Sequence, residues 1–166
     1  VSTAIRPSSP RVGSVWPLAV RAGAWASVLS ATVLLGHGRW RLHSQWALIN
    51  APSQWVHGSK ALHQRRVSWR YSALGALIHH VSSLWWAWVF AHLLNEWRAR
   101  PTARVAPCLA VGVTALAWWV DTRLVPRRLA PGFDRLAGRW GLACVYGAFA
   151  AGLARGASPP RPRRTG

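Results

Sequence analysis

Carboxylates are scarce in this sequence. Its 166 residues include only Glu96, Asp121 and Asp134, against 21 Lys and Arg, for a formal net charge of +18. Charged residues of all kinds make up 14% of the chain, where an ordinary soluble domain carries about 25%. Cysteine is scarce too. Cys108 and Cys144 have neither metal-ligand spacing nor the makings of a disulfide framework, so they read as small packing residues. No phosphate-binding glycine loop, HExxH, GxSxG or CxxC occurs, which removes the sequence-readable routes to nucleotide, zinc-hydrolase, serine-hydrolase and dithiol chemistry. Methionine is missing and the chain opens on Val1, as an alternative start codon in a GC-rich genome or a fragment would produce. Richness in Ala, Arg, Gly and Trp with a single lysine points to a bacterial source.

What remains is apolar. The hydrophobic fraction is 51%, and the cations lie almost wholly outside the long apolar runs. A strong positive charge fits either nucleic acid or an anionic membrane surface. Cations expelled from apolar runs fit a polytopic membrane protein, and no specific nucleic-acid partner is expected. Thirteen Trp are many for this length. Trp16, Trp40, Trp46, Trp55, Trp69, Trp97 and Trp140 fall near run ends or in connections, where an indole buries its ring and keeps its N–H wet.

Four runs read as spans, at about 14–36, 72–95, 105–121 and 138–154. The expected fold is all-α: one integral membrane four-helix bundle over 14–155, with a long first connection. A basic arm (1–13) and a basic tail (156–166) read as disordered. The first run reads as a retained span, because no small-x-small cleavage site follows Leu35. In the long connection, WALINAPSQWVHG (Trp46 to Gly58) is too short and polar to span, and reads as a surface-lying or partly re-entrant segment or an anchored loop. In the fourth run two rows of small residues, Ala143–Gly147–Ala151 and Cys144–Ala148–Gly152, are candidates for close helix approach. Four spans put both termini on one side. That side reads as cytoplasmic because the basic arm precedes the first span, although the cations divide almost evenly across the membrane.

The second run is the anomalous one. Ser72 to Asn95 has no Asp, Glu, Lys or Arg, yet holds His79, His80, Ser82 and Ser83. At about 100° per residue, Ser72, Gly75, Ala76, His79, Ser82, Ser83 and Trp86 share one face, which should point into the bundle. His79 and Ser83 are one turn apart, close enough for a local hydrogen bond. Topology places Asp121 at the same membrane surface as His79 and His80, so it is the expected carboxylate partner. Asn50, Ser53, Gln54, His57 and Arg127 belong to that surface too. The candidate polar cluster is therefore His79, His80, Ser83, Asp121, Arg127, Asn50, Ser53, Gln54 and His57. No metal and no cofactor are assigned to it. Adjacent histidines diverge by about 100° on a helix, unlike a chelating i,i+4 pair. Haem held by two histidines would need partners that the other spans lack.

The segments WALINAPSQWVHG, LIHHVSSLWWAWVF and DTRLVPRRLAPGF resemble stretches of small four-span bacterial inner-membrane proteins, over about residues 35–155. That resemblance implies an intact multi-pass inner-membrane protein and carries over no catalytic residue. The primary functional expectation is a non-enzymatic membrane protein with a polar His/Asp/Arg cluster at one surface. Its partners would be the bilayer, anionic phospholipid head groups and another membrane protein. A small transporter or proton- or ion-handling subunit is the alternative, and an enzyme acting on a lipid head group is the third. A dry, fully paired cluster favours the first, a through-going watery cavity the second, and a closed pocket opening to lipid the third.

Overall fold

In the computed structural model, residues 14–97 and 104–158 are described. The expectations for the basic arm at 1–13, the connection at 98–103 and the tail beyond 158 lie outside those residues. Within them every regular element is helical. Four long helices, α1 (Trp16–Leu42), α4 (Leu74–Trp97), α5 (Val105–Trp119) and α6 (Asp134–Ala157), are accompanied by two single turns, α2 (Ala47–Asn50) and α3 (Gln54–His57).

α1 begins at a proline, Pro17, in the first turn, where its missing N–H costs nothing. It runs on past Gly36 to Leu42, beyond the expected end of the first span. Tertiary contacts hold that extra stretch: His37 Nε2 lies 2.8 Å from the Ala137 carbonyl oxygen, and Gly38 packs under Ser44 and Leu48. The chain then turns through His43, at φ 51°, and the Ser44 amide returns to the Gly38 carbonyl at 3.2 Å.

α1 and α6 form the closest pair and run antiparallel. A Cβ at Gly152 or Gly156 would collide with the backbone of Ala26 or Ala22, so the two helices touch main chain to main chain. At the same end the Arg21 guanidinium donates from Nε to the Gly156 carbonyl at 2.6 Å. The small-residue contact therefore uses Gly141, Gly152 and Gly156. Ala143, Gly147 and Ala151 are exposed, as is Cys144, so of the two expected rows only Gly152 serves this interface. The buried face of α6 steps by four, four, three and four through Gly141, Val145, Phe149, Gly152 and Gly156, as a straight helix requires.

α4 packs on the other flank of α1, with Gly23 under Leu84 and Ala87. α5 leans on α6. One apolar core (Ala22, Ala26, Ala87, Phe90, Ala91, Ala110, Val113, Leu153 and neighbours) joins all four helices near the 97/105 end. A second (Leu34, Leu48, Ile49, Ala51, Phe133, Ala137, Val145) occupies the opposite end. The second core corrects the reading of residues 46–58 as surface-lying or looped. Residues 47–54 are all buried, because Ala47, Leu48, Ile49, Ala51 and Pro52 fill the space between α1, α4 and the start of α6. Gly75 lets the Ile49 carbonyl lie directly against α4.

α6 is interrupted at Gly138 (φ 68°, ψ 171°), a conformation suited to glycine, so its continuous part starts at Arg139. Three helical stretches are long and apolar enough to cross a membrane: Trp16–Leu42, Val105–Leu124 and Asp134–Ala157. The second of these includes a π-helical turn, Val120–Leu124, that extends α5. α4 matches α6 in length at 24 residues and is not one of those three stretches; His79, His80, His92 and Glu96 interrupt its apolar run.

The close α1–α6 contact predicts a position-specific response. Gly152→Val should lower the thermal unfolding midpoint in detergent, at a cost of about 1–3 kcal/mol typical of overpacking. Gly147→Val, where nothing lies within 4 Å, should leave the midpoint unchanged. Circular dichroism melts of the two variants side by side provide the check.

Candidate functional site

α4 and α5 meet near the 97/105 end and gape toward the other. The gap is a groove of about 660 Å³, within the range of small-molecule sites. One wall carries Leu77, Val81, Ser82 and Trp85 of α4, and the other carries Ala117, Val120 and Asp121. Its floor is Ser30 of α1 with Val145, Tyr146 and Phe149 of α6. The buried segment and the following loop close one end through Pro52, Trp55, Leu129, Pro131 and Phe133. The outer rim is apolar: Leu77, Val81 and Trp85, one turn apart, are 58, 56 and 60% exposed. The groove therefore opens through the flank of the helices rather than through an end.

Two hydrogen-bonded polar pairs interrupt this apolar lining. His79 Nε2 lies 2.9 Å from Ser30 Oγ, and that hydroxyl donates its own proton to the Ala26 carbonyl at 2.7 Å. The Ser27 backbone bonds the same imidazole, so His79 is fastened to α1 through both Ser27 and Ser30. The Tyr146 hydroxyl donates to Asp121 Oδ2 at 2.7 Å. The expected His79–Asp121 pair does not form. Each group takes a nearer partner, because α4 and α5 are splayed at this level. Nor does Asp121 pair with Arg123 or Arg127, and its recorded hydrogen-bond partner among the described residues is Tyr146 alone.

The other candidates separate into four sets. Ser83 lines the groove but donates to the His79 carbonyl at 2.7 Å, so its proton stays on its own helix. His80 is exposed and does not line the groove. Asn50, Ser53 and Gln54 act as staples. Asn50 is fully buried, donates to the Gln64 and Arg66 carbonyls at 3.1 Å each, and accepts from Ser72 Oγ at 2.6 Å. Ser53 donates to the Asn50 carbonyl at 2.7 Å, and Gln54 Nε2 to the Ala130 carbonyl at 2.6 Å. Arg127 and His57 line a second, shallower basin of about 450 Å³ with Arg128 and Arg135. The ring of His57 also packs on Tyr71, with centroids 4.7 Å apart. A wall separates the two hollows, made where Gln54 and Trp55 both bond the Ala130 carbonyl.

Sequence reasoning missed Ser30, Tyr146 and Asp134. Tyr146 is a polar side chain inside an apolar run, the same signal that singled out His79, and applying that rule to the fourth run finds it. Asp134 sits near enough to Asp121 and Tyr146 for its charge to act on both, and its Oδ1 is buried without a hydrogen-bond partner among the described residues. Asp121 is thus not the one acid at its depth. Among the described residues no three His, Cys, Asp or Glu side chains gather in a way that could hold a metal ion. No family model matches the chain, and neither does any curated protein or solved structure.

The Ser30–His79 contact has the atoms of a nucleophile–base pair. Its geometry is structural. Ser30 is 0% exposed and its proton is committed to a backbone carbonyl.

The Asn50 node predicts a stability effect without a change in the groove. Asn50→Ala leaves the Ser72 hydroxyl and two carbonyls short of partners, at about 1–3 kcal/mol per unsatisfied group. The midpoint in detergent should fall markedly, whereas His57→Ala, in the shallow basin, should leave it within a degree or two. Thermal melts of both variants measure this.

Proposed function

We propose that the protein is a four-span integral protein of a bacterial inner membrane that holds a membrane-dissolved amphiphile in the α4–α5 groove. The observation that carries this reading is the groove itself: closed at both ends, apolar, open through its flank, and equipped with two polar pairs at one depth. A bilayer molecule enters such a space sideways without meeting water, and polar groups at fixed depth set its orientation.

Several features support the spanning part. Exposed Trp16 and Trp97 mark one end of the bundle, and exposed Trp40, Trp69 and Trp140 mark the other. Along α1, Trp16 and Trp40 are about 36 Å apart at 1.5 Å per residue, close to a hydrocarbon core of about 30 Å plus its interfaces. α4 completes the bundle as a fourth span: it is as long as α6, its His79 turns toward Ser30, and its His92 lies near one end. Arg127, Arg128 and Arg135, beside the groove's closed end, face anionic phospholipid head groups in this arrangement. The reading is binding rather than hydrolysis, since Ser30 and Ser83, beside His79, donate to backbone carbonyls.

Two measurements test the reading. In a background with Cys108→Ala and Cys144→Ala, Ser59→Cys and Arg104→Cys should react with a membrane-impermeant maleimide from opposite sides of intact spheroplasts. Labelling of both from one side ends the four-span arrangement. A nitroxide attached at Ser82→Cys should collide more with oxygen than with a water-soluble nickel chelate in liposomes, because the groove opens to lipid. The reverse ratio means a groove filled from water and ends the amphiphile reading.

A further inference from the structure

We infer that the α4–α5 groove selects a lipophilic organic cation, held with its charge against Asp121 and its apolar body among aromatic rings. The inference rests on the groove reading above and adds the ligand's charge and class.

Charge complementarity carries it. Asp121 is the one side chain of formal charge that lines the groove. One of its oxygens accepts from Tyr146, and no hydrogen-bond partner is recorded for the other among the described residues. No described cation neutralises it, and the nearby charge that acts on it is a second negative one, Asp134. A carboxylate so placed, with apolar walls around it, attracts positive charge far more strongly than one in water. An anion would meet repulsion from Asp121, and Asp134, outside the groove lining, is near enough for its charge to act in the same sense. The excess positive charge of the chain does not reverse this, because fields of exposed arginines die away over about 8 Å at physiological salt. Arg127, Arg128 and Arg135 line the other hollow, behind the Gln54–Trp55–Ala130 wall.

The rings decide the shape of the cation. Trp55, Trp85, Trp86, Phe133, Tyr146 and Phe149 all line the same space. Faces of Trp, Tyr and Phe attract a soft, poorly hydrated cation, and they gain most when it arrives already desolvated. A small inorganic ion would lose its hydration shell for too few oxygen ligands here. An aryl or alkyl onium ion, or a protonated hydrophobic amine, loses little hydration and fills the volume. His79 bounds the site on the other wall. Its ring is held by Ser30 and by the Ser27 backbone, both on α1.

The test uses two ions of nearly one shape and opposite charge, tetraphenylphosphonium and tetraphenylborate. Both are titrated against the full chain in a neutral maltoside detergent, with binding to empty micelles subtracted. Wild-type protein should bind the phosphonium at least about tenfold tighter than the borate. Asp121→Asn, which keeps an acceptor for Tyr146, should erase that preference, and Asp121→Glu should keep it. Equal or tighter binding of the borate, or a preference that survives Asp121→Asn, overturns the cation inference while leaving the groove reading in place. If neither ion binds above the micelle background, the groove reading falls with it. Should Asp121→Asn not fold, the wild-type ratio decides alone, a value of one or less overturning the inference.

Discussion

The contact on which the structure depends is the one between the backbones of α1 and α6. Gly152 and Gly156 bring α6 against the main chain of Ala22 and Ala26, with nothing between them larger than a methyl group. In lipid no hydrophobic force drives helices together, so close packing of this kind has to supply the cohesion. With that pair fixed, α4 seats on the α1 flank over Gly23 and α5 on the α6 flank. The two outer helices then touch each other only where small and medium side chains allow it, around Ala87, Ala91, Ala110 and Val113. Farther along, Trp86 on α4 and Tyr146 and Phe149 below line the space left between the walls, with Trp85 on its rim. The groove is what remains when one pair of helices packs tightly and the opposite pair cannot.

The long helices were legible in the sequence because apolar runs of this length have few other uses, and each of the four runs falls on a long helix. The helix of the first run extends past the expected span end at Gly36 to Leu42. Gly38 makes room there for Ser44 and Leu48, a contact with the following segment that the run itself does not show. The burial of residues 47–54 was out of reach for a different reason. Asn50, Ser53 and Gln54 look like a polar surface, and they become core only through carbonyls at residues 64, 66 and 130. Partners that distant leave no local trace in the spacing.

The polar cluster was legible in part. The helical face drawn through His79 and Ser83 is the inward one, with Ala76 the exposed exception. Depth was also readable, since up-and-down topology puts Asp121 and His79 toward the same end. Rotation of one helix against another was not. Whether His79 meets Asp121 or Ser30 is set by how α1 is rotated and by the splay of α5, and neither is encoded in any single run.

The irregular backbone is unevenly shared between the two ends. The π-helical turns at Trp69–Ala73 and Val120–Leu124, the break at Gly138 and the short turns between Ala47 and His63 all lie at the end where the groove is capped. The described part of the other end is plain α-helix joined by glycine and alanine contacts. The described backbone is therefore regular at one pole and irregular at the other, where side chains of Asn50, Ser53 and Gln54 take up carbonyls that a helical ladder would otherwise pair. The groove's cap is held by side chains and its opposite end by close helix packing, with the α1–α6 seam common to both.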